Sequence, residues 1–318
     1  MVDLIIIGAG PGGADCALKA HENGLETILI EKGNVGGVCL HEGCIPIKAY
    51  YTVASSLNDA RKNQELGIGY DTLHFDFQKA IHFKRSVVTQ LYEGLLYSLE
   101  KANVTLIRGQ AHLQDANTVI VDGRSYQAKQ IVIATGSTPV VIPGFSQAMD
   151  STDCLNLKQV PDHMVIIGGG VIGVEMASIF ASFGSKVSLV EAMDRLLPFA
   201  DKDISRRCAH ILKSQNIDVY TKSNAINFDG EEVKIEHKKT IKTLKTKYCL
   251  CAVGRKPNTE GLDLDKIGLK HLNGRIIVDD SFKSSVPSIY AIGDCIGGWM
   301  LAHSATYQGY SVISPIMG

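Results

Sequence analysis

Polar and apolar residues set a rhythm in the first thirty positions that returns far downstream. Leu4-Ile5-Ile6-Ile7 is a short continuous apolar run ended by glycine, the pattern of a strand buried on both faces. Gly8-Ala9-Gly10-Pro11-Gly12-Gly13 follows, and a helix is predicted from there to Asn23, where Gly24 stops it. The next apolar run, Thr27-Ile28-Leu29-Ile30, ends at Glu31. Val165-Ile166-Ile167 opens a second copy: Gly168-Gly169-Gly170-Val171-Ile172-Gly173, a helix stopped by Gly184, then Val187-Ser188-Leu189-Val190 delivering Glu191. The spacing from Gly13 to Glu31 equals that from Gly173 to Glu191. One strand-turn-helix-strand unit therefore occurs twice.

Between the copies the pattern predicts a helix from Ala49 to about Asn63, a turn at Gly67-Ile68-Gly69, a helix from about Phe77 to Lys101, and short strands from Val104 to Ile120. Ile131-Val132-Ile133 reads as a buried strand entering Ala134-Thr135-Gly136-Ser137-Thr138-Pro139, and the turn that continues to Pro143-Gly144 marks a domain boundary. The charged alternating stretch from Glu231 to Tyr248 predicts an exposed, solvated hairpin. Cys249 to Val253 returns to a buried strand before Gly254-Arg255-Lys256-Pro257-Asn258-Thr259. Ile289-Tyr290-Ala291-Ile292-Gly293-Asp294 ends a strand in an acid at a glycine turn, where a sheet's carboxyl edge meets ligands. The fold class is α/β, with two interleaved Rossmann-like dinucleotide-binding domains. One comprises residues 1–147 and 272–318, and the other, 148–271, is inserted in it.

The repeated loop has a chemical reason. In G-x-G-x-x-G the first glycine makes a tight turn, the second lets backbone amides reach a pyrophosphate, and the third lets helix and strand pack closely. The phosphates then meet the positive end of a helix. An acid about 20 residues on accepts hydrogen bonds from a ribose 2′-hydroxyl and repels a 2′-phosphate, so Glu191 favours NAD over NADP. One such loop is weak evidence, whereas two in full strand-turn-helix-strand context are strong and fit a flavin adenine dinucleotide beside a nicotinamide nucleotide.

Composition narrows the partners. The 318 residues include 31 glycines, and the chain is too long for one ordinary core. A net charge of −1 with dispersed Lys and Glu gives no field for nucleic acid or anionic lipid. Met1 leads directly into a strand, with no basic leader and no apolar run of membrane-spanning length, so a cytoplasmic form is expected, with no membrane partner. No metal site is expected.

Eight cysteines are scattered, six of them (Cys16, Cys154, Cys208, Cys249, Cys251 and Cys295) in settings that suit a small core residue. The other two, Cys39 and Cys44, lie in Gly36-Gly37-Val38-Cys39-Leu40-His41-Glu42-Gly43-Cys44-Ile45-Pro46-Ile47-Lys48. A regular helix would set them about 7.5 Å apart along its axis, and a disulfide requires Cα atoms closer than about 7 Å. Either the turn is distorted or Cys39 precedes the helix proper, with Gly43 relaxing the backbone and Pro46 tolerated in a first turn. Such a close pair in a reducing compartment points to redox chemistry. The alternatives are a stabilising bridge, which gains little by closing so small a loop, or two unrelated core thiols.

Taken together, Gly8-x-Gly10-Pro11-Gly12-Gly13, Cys39-x4-Cys44 with Lys48, Ala134-Thr135-Gly136-Ser137, Gly168 to Glu175, Val253 to Thr259, Ala291 to Asp294 and Leu301-Ala302-His303 resemble the disulfide-containing flavoprotein reductases of the pyridine nucleotide-disulfide oxidoreductase family. Among them the dihydrolipoamide dehydrogenases are most similar, over essentially the whole chain. The resemblance implies that FAD is held by Gly8, Gly10, Gly12, Gly13, Glu31, Gly37, Lys48, Ala134, Thr135, Gly136, Asp294 and Ala302. It implies NAD at Gly168, Gly170, Gly173, Glu191 and Gly254. Catalysis would fall to Cys44 as the thiolate nearest the flavin, Cys39 as the outer thiol, and a Lys48–Glu175 pair beside the flavin ring. His41 reads as structural, and His303 as packing near the flavin. The implied partner is dihydrolipoamide, or the lipoyl domain of a 2-oxoacid dehydrogenase or glycine cleavage complex. Val38, Ile47 and Gln308 depart from the usual residues of this family. Its members continue into a dimerisation domain that carries a His-Glu acid-base pair, and nothing through Gly318 reads as that domain. The 318-residue chain is therefore expected to associate weakly and to oxidise dihydrolipoamide poorly.

Overall fold

The protein is described by a computed structural model over residues 1–317, and Gly318, the expected end of the first domain, lies outside the described residues. In chain order the elements are β1 (Val2–Ile7), α1 (Pro11–Glu22), β2 (Thr27–Glu31), α2 (Gly37–His41), α3 (Cys44–Glu65), α4 (Phe77–Lys101), β3 (Thr105–Arg108), β4 (Ala111–Leu113), β5 (Thr118–Val121), β6 (Arg124–Ile133), β7 (Ser137–Pro139) and α5 (Ser151–Leu155). They continue with β8 (His163–Ile167), α6 (Val171–Ser182), β9 (Lys186–Val190), α7 (Lys202–Ser214), β10 (Asp218–Tyr220), β11 (Ser223–Phe228), β12 (Glu232–His237), β13 (Thr240–Lys245) and β14 (Tyr248–Cys251). Last come β15 (Arg255–Pro257), β16 (His271–Leu272), β17 (Arg275–Ile276), β18 (Ile289–Ala291), α8 (Ala302–Ser311) and α9 (Ile313–Met317), with 3-10 turns at Leu264–Ile267 and Gly293–Ile296.

Packing groups the chain into two units. The first takes residues 1–41, 88–138 and 255–317, and the second takes 42–87 and 139–254. In the first, β1 runs parallel between β2 and β6, with Ile5 opposite Ile28 and Ile131. β3 lies outside β2, and β18 pairs parallel with β6. The first residues of β6 run antiparallel to β5, and β5 in turn runs antiparallel to β4. Both faces of β1 are buried, as its unbroken apolar run requires. Ile5 and Ile7 join a core with Ile30, Leu113, Val119 and Ile133, while Leu4 and Ile6 face Cys16, Ala17, Leu29 and Val312.

The second unit repeats the plan with β10, β9, β8 and β14 in one parallel sheet. Its β8 also serves two cores. Met164 and Ile166 pack with Phe180, Phe183 and Tyr50, and Val165 and Ile167 with Phe145, Phe228, Val233 and Ile235. The last two residues belong to β12, so the hairpin expected to be solvated is exposed mainly on β13, and one face of β12 is core.

These units do not coincide with domains bounded at residues 147 and 271. Tyr50, Ala54 and Leu57 of α3, with Phe77 and Ile81 of α4, fill the aromatic core around Phe180, so residues 42–87 pack with the second unit. Leu262, Leu264 and Leu269 sit in the core of the first, and Leu113 donates its backbone N–H to the Leu262 carbonyl at 3.0 Å. The long helix α3 starts at Cys44, ahead of the expected Ala49. Pro46 falls in its first turn, where a missing N–H is harmless. Gly43 precedes it at φ −146°, ψ −110°, far from helical geometry, which separates Cys39, in the short α2, from the helix that Cys44 begins.

Candidate functional site

Each unit presents a glycine loop at the carboxyl ends of its central strands. In the first, a Cβ on Gly8 would strike the Ala134 carbonyl, and one on Gly13 would strike the Gly8 carbonyl, so neither position admits a side chain. Gly8 also has φ +102°. Nothing lies within 4 Å of a Cβ built on Gly10. Gly10 caps α1 without any side-chain hydrogen bond, leaving the first amides of the helix facing that open space. This is the donor set an anionic pyrophosphate needs. Gly12 makes its close approach elsewhere, against the Ala305 carbonyl of α8, which a Cβ would meet at 3.0 Å.

Glu31 closes this loop. Its Oε2 accepts from Ala9 N at 2.7 Å and its Oε1 from Gly33 N at 2.7 Å. Gly36 N donates back to the Ala9 carbonyl at 2.7 Å, and a Cβ on Gly37 would come 2.8 Å from Gly10 Cα. On the neighbouring strand end, Gly136 has φ +72° and open space around it. The Gly136 carbonyl accepts from Asn258 N, and the Thr135 carbonyl from Asn258 Nδ2. Buried Ser137 donates to Asp294 Oδ2 at 2.5 Å and accepts from Arg255 Nε at 2.7 Å. Gln308 Oε1 accepts from Gly293 N at 2.7 Å and so fixes the turn that carries Asp294. Ala302 begins α8. Asn258, Ser137, Arg255 and Gln308 were not among the expected ligand residues, although the sequence motifs contain three of them; only their long-range partners reveal what they hold.

The second loop is built to the same drawing. A Cβ on Gly168 would strike the Ala252 carbonyl, and one on Gly173 the Gly168 carbonyl. Gly170 opens on empty space and caps α6 with no side-chain hydrogen bond. Glu191, 8% exposed, accepts from Gly169 N at 2.6 Å through Oε2 and from Met193 N at 2.7 Å through Oε1. Leu197 N returns to the Gly169 carbonyl at 2.8 Å. Gly254, at φ +141° with nothing near its Cβ position, lies in the turn that follows β14. Both acids thus serve first as clamps on their own loops, a role their spacing alone does not disclose. Carboxylate oxygens retain lone pairs for further donors.

Lys48 and Glu175 come together as expected, Nζ to Oε1 at 2.5 Å, from α3 and α6 of the second unit. Lys48 is well exposed, with 61% of its side chain accessible. Cys39 is half-buried, and Cys44 is exposed at the start of α3. The remaining cysteines behave as core residues. Burial raises the Cys16 and Cys154 thiols far above their usual range and takes Cys249 and Cys295 up to about 12, which keeps all four protonated and inert. Cys208 is only partly buried. His303 is exposed on α8, away from the core. No group of His, Cys, Asp or Glu able to hold a metal occurs among the described residues, and none of their helices is long and apolar enough to cross a membrane.

The model of the family described as pyridine nucleotide-disulphide oxidoreductase matches residues 2–309. A dihydrolipoyl dehydrogenase of Geobacillus stearothermophilus is 39% identical, the match covering 99% of this chain and 70% of that protein. One from Acholeplasma laidlawii is 38% identical over 99% of this chain and 96% of its own length. Among solved structures, the HOCl-induced flavoprotein disulfide reductase RclA from Escherichia coli superposes with a TM-score of 0.83 at 32% identity, covering 96% of this chain and 69% of that one. This chain's two glycine loops, its parallel sheets and these matches agree: the chain belongs to the pyridine nucleotide-disulphide oxidoreductase family.

Proposed function

We propose that the protein is an NAD-dependent dihydrolipoamide dehydrogenase-type enzyme, moving an electron pair between a dithiol substrate and NAD. The observation that carries this reading is the Cys39-x4-Cys44 segment entering α3, with Lys48 one turn later paired to Glu175, in a chain that holds two uncapped glycine-loop helices. Both loops fit a dinucleotide by their donors and open space. We assign FAD to the first, with Gly8, Gly10, Gly12, Gly13, Glu31, Gly37, Ala134, Thr135, Gly136, Asp294 and Ala302 as its holders, and Lys48 as a cation contributed from α3. NAD goes to the second, with Gly168, Gly170, Gly173, Glu191 and Gly254. FAD, when bound, supplies the two-electron relay between dithiol and nicotinamide.

The chain's own chemistry is thiol exchange. A substrate thiolate attacks the sulfur of Cys39 in a Cys39–Cys44 disulfide. One S–S bond breaks, a mixed disulfide forms, and Cys44 leaves as thiolate. The second substrate thiol, losing its proton, displaces Cys39, so substrate leaves as disulfide and the two cysteines hold the electron pair. Lys48 places positive charge where negative charge gathers, and Glu175 holds its ammonium in position. Glu191 presents a carboxylate at the ribose side of the second loop, which favours NAD over a 2′-phosphorylated nucleotide.

We infer a lipoyl group, carried by a 2-oxoacid dehydrogenase or glycine cleavage complex, as the physiological dithiol, and the cytoplasm as the setting, since a reducible pair of this kind works in a reducing compartment. Anaerobic mixing of purified protein with dihydrolipoamide and NAD tests the reading: NADH should form, and NADP should replace NAD poorly. If NADH bleaches the flavin while dihydrolipoamide does not, the second reading holds. That reading, an NADH-dependent reductase of another disulfide, a metal ion or a quinone, is favoured by the likeness to the flavoprotein disulfide reductase of Escherichia coli.

A further inference from the structure

The residue two places after Cys39 is a histidine that the exchange chemistry above does not use. His41 ends α2 and is half-buried. Its Nε2 lies 2.8 Å from the Val35 carbonyl oxygen. A carbonyl only accepts, so Nε2 carries the proton. The ring meets Tyr92 of α4 edge-on, with centroids 5.2 Å apart and planes at 73°. The Tyr92 hydroxyl accepts from Arg108 Nη2 at 3.1 Å, and Arg108 Nη1 donates to the Gly33 carbonyl at 2.7 Å. Gly33 N is one of the two amides bound by Glu31, and the other is Ala9 of the glycine loop. Residues 31–41 thus form a strap. One end is clamped by Glu31 to the nucleotide loop, and the other is fastened through His41 to Val35 and Tyr92, with Cys39 in the last fastened turn.

We propose that His41 is a positioning residue for Cys39, holding the outer thiol in the place that disulfide closure and exchange require. The inference rests on the reading of Cys39 and Cys44 as a redox pair. Its logic is entropic. A dithiol whose outer member is already held loses less freedom on closing than one on a loose turn, so the fastening favours the disulfide. Tyr92 supplies the ring surface and Arg108 ties Tyr92 to Gly33, so the register of the strap is shared with the nucleotide loop.

The test is the thiol–disulfide equilibrium of the pair against glutathione in the flavin-containing protein, read by alkylation of Cys39 and Cys44 and peptide mass spectrometry. His41→Leu removes donor and ring together, and His41→Gln keeps an N–H donor for the Val35 carbonyl. We expect the equilibrium constant for disulfide formation to fall about three- to tenfold in His41→Leu, the range one lost hydrogen bond spans. In His41→Gln it should stay within about twofold of wild type. Both variants are to be compared only where flavin content and circular dichroism match wild type; if His41→Leu does not fold, His41→Phe, which keeps the ring against Tyr92 and loses the donor, takes its place with the same expected fall. An unchanged or raised constant in the folded donor-less variant overturns the role of His41. A wild-type protein in which Cys39 and Cys44 never become jointly protected from alkylation overturns the redox-pair reading instead.

Discussion

The two glycine loops share the close approaches of their first and third glycines and differ at the residues between them and in what surrounds them. Gly8 corresponds to Gly168, Gly13 to Gly173, Ala134 to Ala252, and the clamping pairs Glu31 with Ala9 and Gly33 to Glu191 with Gly169 and Met193. They diverge at Ala9, where Gly169 leaves no room for a Cβ beside Leu196 and Glu191, and again at the residue before the third glycine. Gly12 lies under α8, whose Gly309 approaches so closely that a Cβ there would strike the Gly12 carbonyl, while the corresponding Ile172 packs against the aromatic core of its own unit. What is invariant between the copies is therefore the stereochemistry of turning a strand into a helix over a phosphate. What varies is the packing that each loop's helix must satisfy. A motif repeats where geometry leaves no choice and drifts where a neighbour decides.

Substituting the third glycine should break either loop most severely. In Gly13→Ala and Gly173→Ala the new methyl group enters a carbonyl oxygen of the same loop, and neither backbone can move without losing the strand-helix turn. We expect each variant to lose about 3 kcal/mol or more of stability in urea unfolding and to bind the nucleotide of its own unit at least about a hundredfold more weakly.

The clamping acids come next. Glu31→Gln and Glu191→Gln each keep one acceptor and turn an amide NH2 toward a backbone N–H, losing one charge-assisted bond worth about 1.5 to 3 kcal/mol. Calorimetric titration should show roughly ten- to a hundredfold weaker FAD for the first and weaker NADH for the second. Only Glu191→Gln should narrow the preference for NADH over NADPH. Equal narrowing in both would dissolve the division of labour between the loops.

A smaller effect separates the two helices. Gly12→Ala should cost about 1 to 3 kcal/mol, because Ala305 and its backbone must shift. Ile172→Ala should cost about 1 kcal/mol, because that side chain is only partly buried.

The last expected change is a pH dependence set by a lysine of the second unit. Lys84, the one buried lysine among the described residues, donates to the Leu155 carbonyl and lies over the Tyr50 ring. Burial lowers its pKa to about 8 from the ordinary lysine value of 10.5. Between these values the unfolded chain holds the proton and the folded chain does not, so stability should rise with pH across that window. Below about pH 8 the charge is present in both states and the stabilisation is absent. Urea unfolding of wild type and Lys84→Met at both ends of the window checks this, the slope being expected only in wild type.

Much of this architecture is legible in the residues themselves. The β1 and β8 runs, the glycine spacing and the acids at the ends of β2 and β9 follow from rules local enough to read from one chain, and the hairpin at β12–β13 announces itself by alternation. The start of α3 at Cys44 agrees with the alternative in which Cys39 precedes the helix and Pro46 sits in its first turn, although the apolar spacing alone placed the helix from Ala49. The allegiance of residues 42–87 was hidden: nothing within an amphipathic helix says which of two apolar cores its Tyr50 and Leu57 will enter. The same holds for the site. Lys48 meeting Glu175 followed from resemblance, but Ser137 bridging Asp294 and Arg255, and the acids binding backbone amides, depend on contacts more than a hundred residues apart or on loop closure in space.

The two loops are assigned different nucleotides, FAD to the first and NAD to the second. Gly173→Ala tests this most directly, by stopped-flow reduction of the flavin with NADH and, separately, with a dithiol. We expect a yellow protein with wild-type flavin content whose flavin dithiol reduces at the wild-type rate and NADH hardly at all. A folded Gly173→Ala protein that loses its flavin, or whose flavin NADH reduces at the wild-type rate, would overturn that assignment.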